Sequence, residues 1–361
     1  MNLNVLVLPG DGIGAEVTGE AVRVLRHVAA KWNHQLRITQ GLLGGIAIHK
    51  TGSPLPAETE RLAHEADATL LGAVGLPEFD NAPADKRPEK GLLGIRKTLG
   101  VYANLRPVRA YAALLEASPL KNHIVEGTDM IIVRELTGGI YYGTPRGVSG
   151  EGPEERGVNT MTYTRAEIER VTRMAFHLAR GRRKKVTSVD KSNVIETSQL
   201  WRKVVIEVAR DYPDCTLDHL LVDNCAMQLI LNPRRFDVVV TENMFGDILS
   251  DEGAVLAGSI GMLPSASIGE RKPSGAWVGL YEPVHGSAPD IAGQNKANPL
   301  GAIGSVAAML EYSFGLSEEA AAVNRAIETV LRIGKVTADL KPAGPPATTE
   351  EVGAAVCAAI E

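Results

Sequence analysis

The chain has 361 residues, enough for about two domains at roughly 150 residues each. Apolar residues make up 44% and charged residues 22%, a globular balance that excludes a disordered or fibrous chain. The formal net charge of -5 gives no reason to expect nucleic acid or an anionic membrane as a partner.

Met1–Leu8 has no basic leader and runs straight into a glycine turn, so it reads as a first core strand over Leu3–Leu8. Ala15–Trp32 has helical spacing, Leu36–Ile38 is extended, Ala57–Glu65 is helical and Ala68–Leu71 is a buried strand. The segment from Met130 to Tyr163 is rich in Gly, Thr and Tyr, which suits antiparallel strands or an arm. The pattern then alternates. Lys185–Val189 is a strand, Glu196–Asp211 a helix, Leu217–Val222 a strand and Cys225–Leu231 a helix. Asp237–Thr241 is a strand and Met244–Ala257 a helix. A turn over Lys341–Pro346 precedes a last helix, Thr349–Ile360. Such alternation means an α/β fold with a largely parallel sheet. No uncharged stretch is long enough to span a bilayer; Ala297–Leu310 is short and glycine-rich. Cys215, Cys225 and Cys357 form neither a disulfide framework nor a metal spacing, which points to a reducing cytoplasm.

Five groups of residues carry chemistry. Pro9-Gly10-Asp11-Gly12-Ile13-Gly14 lies between a strand and a helix, but its spacing is not that of the dinucleotide fingerprint. No acidic residue ends a second strand either, so a plain tight turn remains open. Arg96, Arg106 and Arg134 are each flanked by apolar or glycine residues and need an anion if buried. Each would pair with a protein carboxylate, or the three together would clamp a di- or tricarboxylate. Asp247 and Asp251 are four apart and share one helix face, with Cβ atoms roughly 5–6 Å apart. That face is either a solvated acidic surface or an oxygen site for a hard cation, with Asp223 as a third ligand. Lys191, at the end of a strand, would serve as a base and Tyr141 as an acid; alone, each is an ordinary surface or packing residue. Finally, the small-residue loop Glu282–Gly293, with Ala297-Asn298-Pro299, leads into a helix near Leu300 and either suits close approach to a nucleotide or is a plain loop.

In this order, from Leu8 to Pro299, these pieces resemble the isocitrate/isopropylmalate dehydrogenase family, most specifically in Arg134–Tyr142, Thr241–Glu252 and His285–Asn298. The resemblance implies a fold that is not Rossmann: two interwoven α/β domains with a central mixed sheet. Residues 1–100 plus 259–361 would form the cofactor-binding domain, and residues 101–258 the dimerisation and substrate/metal domain. It implies that Arg96, Arg106 and Arg134 bind the malate carboxylates. Asp223, Asp247 and Asp251 would ligate Mg²⁺ or Mn²⁺, Asp223 also meeting substrate. Lys191 would take the C2 hydroxyl proton and Tyr141 would protonate C3. Lys191 and Asp223 would reach the site from the other subunit of a homodimer. His285, Gly286, Ser287, Ala288, Pro289 and Asp290 with Asn298 would hold the adenosine half of the cofactor, with Ile13 touching it. Asp290 would bond a free ribose 2′-hydroxyl and repel a 2′-phosphate, which favours NAD. Pro88–Gly94 resembles the isopropylmalate branch, in which Glu89, Leu92 and Leu93 lie beside the substrate's isopropyl group. Val194 of the partner would add to that pocket. Leucines offer no hydrogen bond to the extra carboxylate of isocitrate. The implied reaction is therefore NAD-dependent oxidative decarboxylation of 3-isopropylmalate. Turnover of D-malate, tartrate or homoisocitrate is the same-class alternative, and a non-catalytic regulatory subunit the remote one. One stretch departs from the branch: Leu76–Asp80 stands where a Gly-Pro-Lys-Trp-like run is usual.

Overall fold

The computed structural model describes residues 1–83 and 86–361. The first element is strand β1 (Asn2–Gly10), whose interior side chains are buried. Helix α1 (Gly14–Lys31) follows, burying Val17, Ala21, Val24, Leu25 and Val28 on one stripe. Then come β2 (Gln35–Gln40), α2 (Gly45–Thr51), α3 (Ala57–Glu65) and β3 (Ala68–Ala73). Helix α4 (Pro88–Leu99) begins on a proline and ends on the left-handed Gly100. Strand β4 (Ala103–Arg109), the one-turn helix α5 (Asn122–Val125) and β5 (Asp129–Glu135) follow. The short strands β6 (Gly147–Ser149) and β7 (Arg156–Val158) pair antiparallel as an exposed arm. Helix α6 (Arg165–Arg180) starts with a capping box between Thr164 and Glu167. The alternation continues through β8 (Lys185–Asp190), α7 (Glu196–Ala209), β9 (Thr216–Leu221), α8 (Val222–Leu231), β10 (Val238–Thr241) and α9 (Asn243–Leu256). The chain closes with β11 (Pro264–Arg271), β12 (Trp277–Pro283), α10 (Leu300–Phe314), α11 (Ser317–Arg332) and α12 (Thr349–Ala359).

Two compact units result. Unit 1 comprises Met1–Val101, Tyr111–Pro119 and Ala257–Glu361; unit 2 comprises Tyr102–Ala110 and Leu120–Leu256. The sheet of unit 1 has the order β2-β1-β3-β12-β11, parallel from β2 to β12, with β11 antiparallel. Leu6, Leu8, Leu43, Leu71, Ile95 and Leu280 form a core on this sheet. Burying each such side chain contributes about 1.5–3 kcal/mol. In unit 2 the order is β4-β5-β10-β8-β9, with β4 antiparallel and the rest parallel. The fold is thus α/β with mixed strand directions, as the resemblance implied. Among the described residues no helix is long and apolar enough to cross a membrane.

Sequence periodicity and structure differ instructively after β9. The expected strand over Leu217–Val222 ends one residue sooner, and α8 begins at Val222, three residues before the expected Cys225. Asp223 therefore sits in the first turn of a helix, where a carboxylate is favoured by the amide dipoles. Tyr141, in a region without helix signals, lies on a single 3-10 turn, Gly139–Tyr141.

Candidate active site

In unit 2, register gathers the chemistry. Arg134 on β5 pairs with Asn104 on β4 and Thr241 on β10, and Thr241 pairs with Val189 on β8. Asp190 pairs in turn with Leu221 on β9. The C-terminal ends of four parallel strands are therefore level, where open α/β sheets place their ligands. Arg134, Lys191, Asp223 and the start of α9 all emerge along that edge.

Arg134 is buried. Its Nε and Nη2 donate to Asn243 Oδ1 at 3.0 and 2.8 Å, and its Nη1 donates to Asp247 Oδ1. Arg106, also buried, donates from Nε to Asn104 Oδ1 at 2.8 Å and from Nη1 to Ser250 Oγ at 2.6 Å and Asp251 Oδ1 at 3.2 Å. Its Nη2 lies 3.6 Å from Asp247 Oδ1. The positive charge that two carboxylates on one helix face require is here a guanidinium. Gly246 admits this arrangement, since a Cβ there would sit 2.7 Å from Arg134 Cβ and Cγ. Tyr141 Oη donates to Asp247 Oδ2 at 3.2 Å. Burial, then the Asp247 charge, pushes the Tyr141 phenol above its ordinary range, which keeps it protonated.

Buried Glu242 closes the first turn of α9, accepting from Met244 N at 3.1 Å, Phe245 N at 2.6 Å and Tyr163 Oη at 3.3 Å. Burial raises its pKa. Lys191 Nζ donates to Asp223 Oδ1 at 2.8 Å, and that bond holds the exposed Asp223 carboxyl below its usual range. Asp190 fixes the Lys191 turn by accepting from Ser192 N and from Arg202 Nε and Nη2, each at 2.9 Å. Among the described residues no three His, Cys, Asp or Glu side chains gather as a metal site within this chain. Asp247 and Asp251 thus offer two hard oxygen donors of the kind a divalent cation takes, one short of a set of three carboxylates. Val194 is exposed.

In unit 1, Arg96 is buried and donates from Nη2 to Glu282 Oε1 at 2.6 Å; its Nε finds no partner among the described residues. In the Gly10–Gly14 turn, Asp11 N donates to Ala73 O at 2.8 Å and Gly14 N to Asp11 O at 2.9 Å. The Asp11 carboxylate reaches out of the turn, accepting from Gly45, Ile46 and Gly75 N–H, each at 2.8 Å. Ile13 N donates to Ser287 O at 2.8 Å, tying this turn to the loop after β12. Gly12, at φ +54, is required there, since a Cβ would lie 2.0 Å from Ser287 O. In that loop His285 is buried, its Nδ1 beside Gly286 O at 2.9 Å, while its Nε2 has no partner among the described residues. Burial lowers its pKa and keeps the ring neutral. A buried, unpartnered ring nitrogen fits a polar ligand such as a nucleotide. Gly286, Pro289 and Asp290 are exposed, Ser287 is buried and Ala288 is half-buried. Asn298 is spent inside the protein: Nδ2 donates to Asp339 Oδ2 at 3.0 Å and Oδ1 accepts from Leu300 N at 3.0 Å. On α4, Glu89 is exposed, Leu93 is half-buried and Leu92 packs partly on the core.

Sequence reasoning assigned no role to Asn104, Asn243 and Ser250, which aim the arginines, nor to Glu282 and Asp11. A signal did exist for two of them. Asn243, Asp247, Ser250 and Asp251 are spaced four, three and one apart, so a helix starting at Asn243 puts them on one face.

A sequence model described as isocitrate/isopropylmalate dehydrogenase matches residues 4–356. A 3-isopropylmalate dehydrogenase of Geobacillus kaustophilus is 60% identical over 95% of this chain and 91% of its own length. One of Priestia megaterium is 57% identical over 100% of this chain and 96% of its own. Among solved structures, isocitrate dehydrogenase from Methylococcus capsulatus superposes with a TM-score of 0.87 at 33% identity, covering 99% of each chain.

Proposed function

The chain belongs to the isocitrate/isopropylmalate dehydrogenase family, and from that premise we propose that it oxidises and decarboxylates 3-isopropylmalate to 4-methyl-2-oxopentanoate with NAD, a step of leucine biosynthesis. The observation that carries this reading is the convergence of Arg106, Arg134, Tyr141, Asp247 and Asp251 at one end of unit 2. Those groups suit a hydroxy-diacid that must be gripped, oxidised and protonated. Two points favour 3-isopropylmalate over isocitrate. Leu92 and Leu93 suit a branched alkyl group. Relatives sharing more than half of the residues are named for 3-isopropylmalate, whereas the neighbour named for isocitrate shares a third.

When bound, NAD supplies the oxidant for C2, and a divalent cation on Asp247 and Asp251 supplies Lewis-acid polarisation of the substrate oxygens. The remaining work falls to side chains. Arg96, Arg106 and Arg134 exchange their internal carboxylate and amide partners for those of the substrate. Lys191, once it has given up its bond to Asp223 and lost a proton to become the free amine, accepts the C2 hydroxyl proton. Tyr141, held protonated, delivers a proton to C3 after CO₂ departs. His285 and its loop hold the adenosine half, and Asp290 prefers a free ribose hydroxyl to a phosphate. Lys191 and Asp223 act across a homodimer, Asp223 supplying the third oxygen donor. Exposed Met227 and Leu231, four apart on α8, and Ile248 and Val255 on α9 support that assembly. The exposed Val148 of the β6–β7 arm supports it too.

The test follows NADH and NADPH formation with 3-isopropylmalate, isocitrate, D-malate and tartrate, with and without EDTA. NADH should form fastest with 3-isopropylmalate, stop with EDTA and return with Mg²⁺ or Mn²⁺. Faster turnover of isocitrate would overturn the pocket assignment.

A further inference from the structure

The loop proposed to hold adenosine does not stand by itself. Its last turn ends at Asn295, a non-glycine residue at φ +56. A left-handed backbone at asparagine persists when its surroundings over-determine it, and three bonds do so here. Asn295 N donates to Glu16 Oε1 at 3.3 Å in the first turn of α1. Its O accepts from Thr349 N at 3.1 Å. Its side-chain Oδ1 accepts from Glu350 N at 3.1 Å. Two of the free amides at the start of α12, those of Thr349 and Glu350, are thus satisfied by the loop, while a capping box between Thr348 and Glu351 satisfies the next. Two residues on, Ala297 O accepts from Thr349 Oγ1 at 2.7 Å, with both residues buried. Upstream, Gln294 Nε2 donates to Asp290 O at 2.7 Å, linking the same turn to Asp290.

We propose that the N-terminus of α12 is a clamp on the cofactor loop, with Thr349 and Asn295 as positioning residues for the nucleotide. This rests on the reading that His285–Asp290 with Asn298 hold the adenosine half. Neither residue touches the ligand. They set the backbone from Asp290 to Asn298, so that the loop is ordered before binding and the nucleotide does not bear that ordering loss.

The test is titration of NADH, and of NADPH in parallel, into the whole protein by nucleotide fluorescence. Melting temperature, Mn²⁺ affinity and kcat at saturating cofactor are measured alongside. Thr349→Val removes the hydroxyl and leaves Ala297 O unpaired; it should weaken NADH about tenfold. Thr349→Ser keeps the donor and should bind within about twofold of the wild type. Asn295→Gly keeps the left-handed backbone but loses the bond from Glu350 N, and should weaken NADH about three- to fivefold. Mn²⁺ affinity and saturated kcat should not move. Thr349→Val with a lowered melting temperature but wild-type NADH affinity overturns the clamp and leaves the cofactor reading standing. Should Thr349→Val fail to fold, Asn295→Gly decides on the same readout. Wild-type protein that binds neither nucleotide overturns the cofactor reading and the clamp with it.

Discussion

Arg134 of unit 2 and His285 of unit 1 are both buried polar groups at the C-terminal edge of a sheet, but they are prepared differently. Arg134 is bonded to Asn243 and Asp247, and Asp247 in turn to Tyr141. His285 keeps a ring nitrogen buried and unpartnered among the described residues. A charge cannot wait in a low-dielectric site without a counter-ion, so unit 2 supplies its own and a ligand must exchange with it. A neutral ring can wait at about 1–3 kcal/mol, which a ligand returns on binding. On the proposed function, Arg106 and Arg134 would meet the substrate by exchange among charges, and His285 would meet the cofactor by completing an unfinished hydrogen-bond set.

The largest test of that contrast is Arg134→Gln. It removes a buried charge from the network and leaves Asp247 with a weaker partner. kcat/KM for 3-isopropylmalate should fall roughly a thousandfold while NADH affinity stays near wild type. A fall of less than tenfold would show that the unit 2 network is not the substrate grip. Next is Tyr141→Phe, which should lower kcat roughly 10- to 100-fold. Because burial and Asp247 raise the wild-type phenol above its ordinary 10.0, loss of its proton should not limit kcat between pH 7 and 9. Its acid function would be refuted by an unchanged rate in the variant.

On the unit 1 side, His285→Ala should weaken NADH about tenfold and leave Mn²⁺ affinity unchanged. The folded imidazole titrates below its ordinary 6.5, so the contribution of the neutral ring is present above 6.5 and lost as pH falls through the depressed value. Wild-type NADH affinity should hold down to that depressed value and decline as the ring protonates there, and the variant should not follow. The smallest effect is on stability. Burial raises the folded pKa of Glu242, so its contribution is present below the ordinary 4.5 and lost as pH rises through the raised value. Glu242→Gln should flatten by a few degrees the decline in melting temperature as pH rises above 4.5, read by calorimetry.

Much of the fold was legible because its periodicities are local. Ala57–Glu65 and the cores of β1, α1, β8 and β10 follow directly from alternation and helical spacing. So did the shared face of Asp247 and Asp251; of the arginines, Arg134 lies near the end of β5, whereas Arg106 sits at the middle of β4 and Arg96 within α4. Asp11 was harder to read, because its glycine-flanked position resembles a ligand turn. Its three N–H partners come from residues 34 to 64 positions away. The start of α8 was misplaced because Val222 is apolar enough to extend a strand pattern, while the helix is begun by the carboxylate beside it.

What the amino-acid order determined was the set of elements and the residue types waiting at their ends, since both depend on neighbours within a turn or two. Which partner each charge meets was decided by the assembled sheets. Strand register brought Asn104, Arg134 and Thr241 level, and packing on α9 set Arg106 between two aspartates. Arg96 met Glu282 across 186 positions of chain. Local spacing carries no information about such pairings, because each depends on which strands lie side by side once the chain has closed on itself.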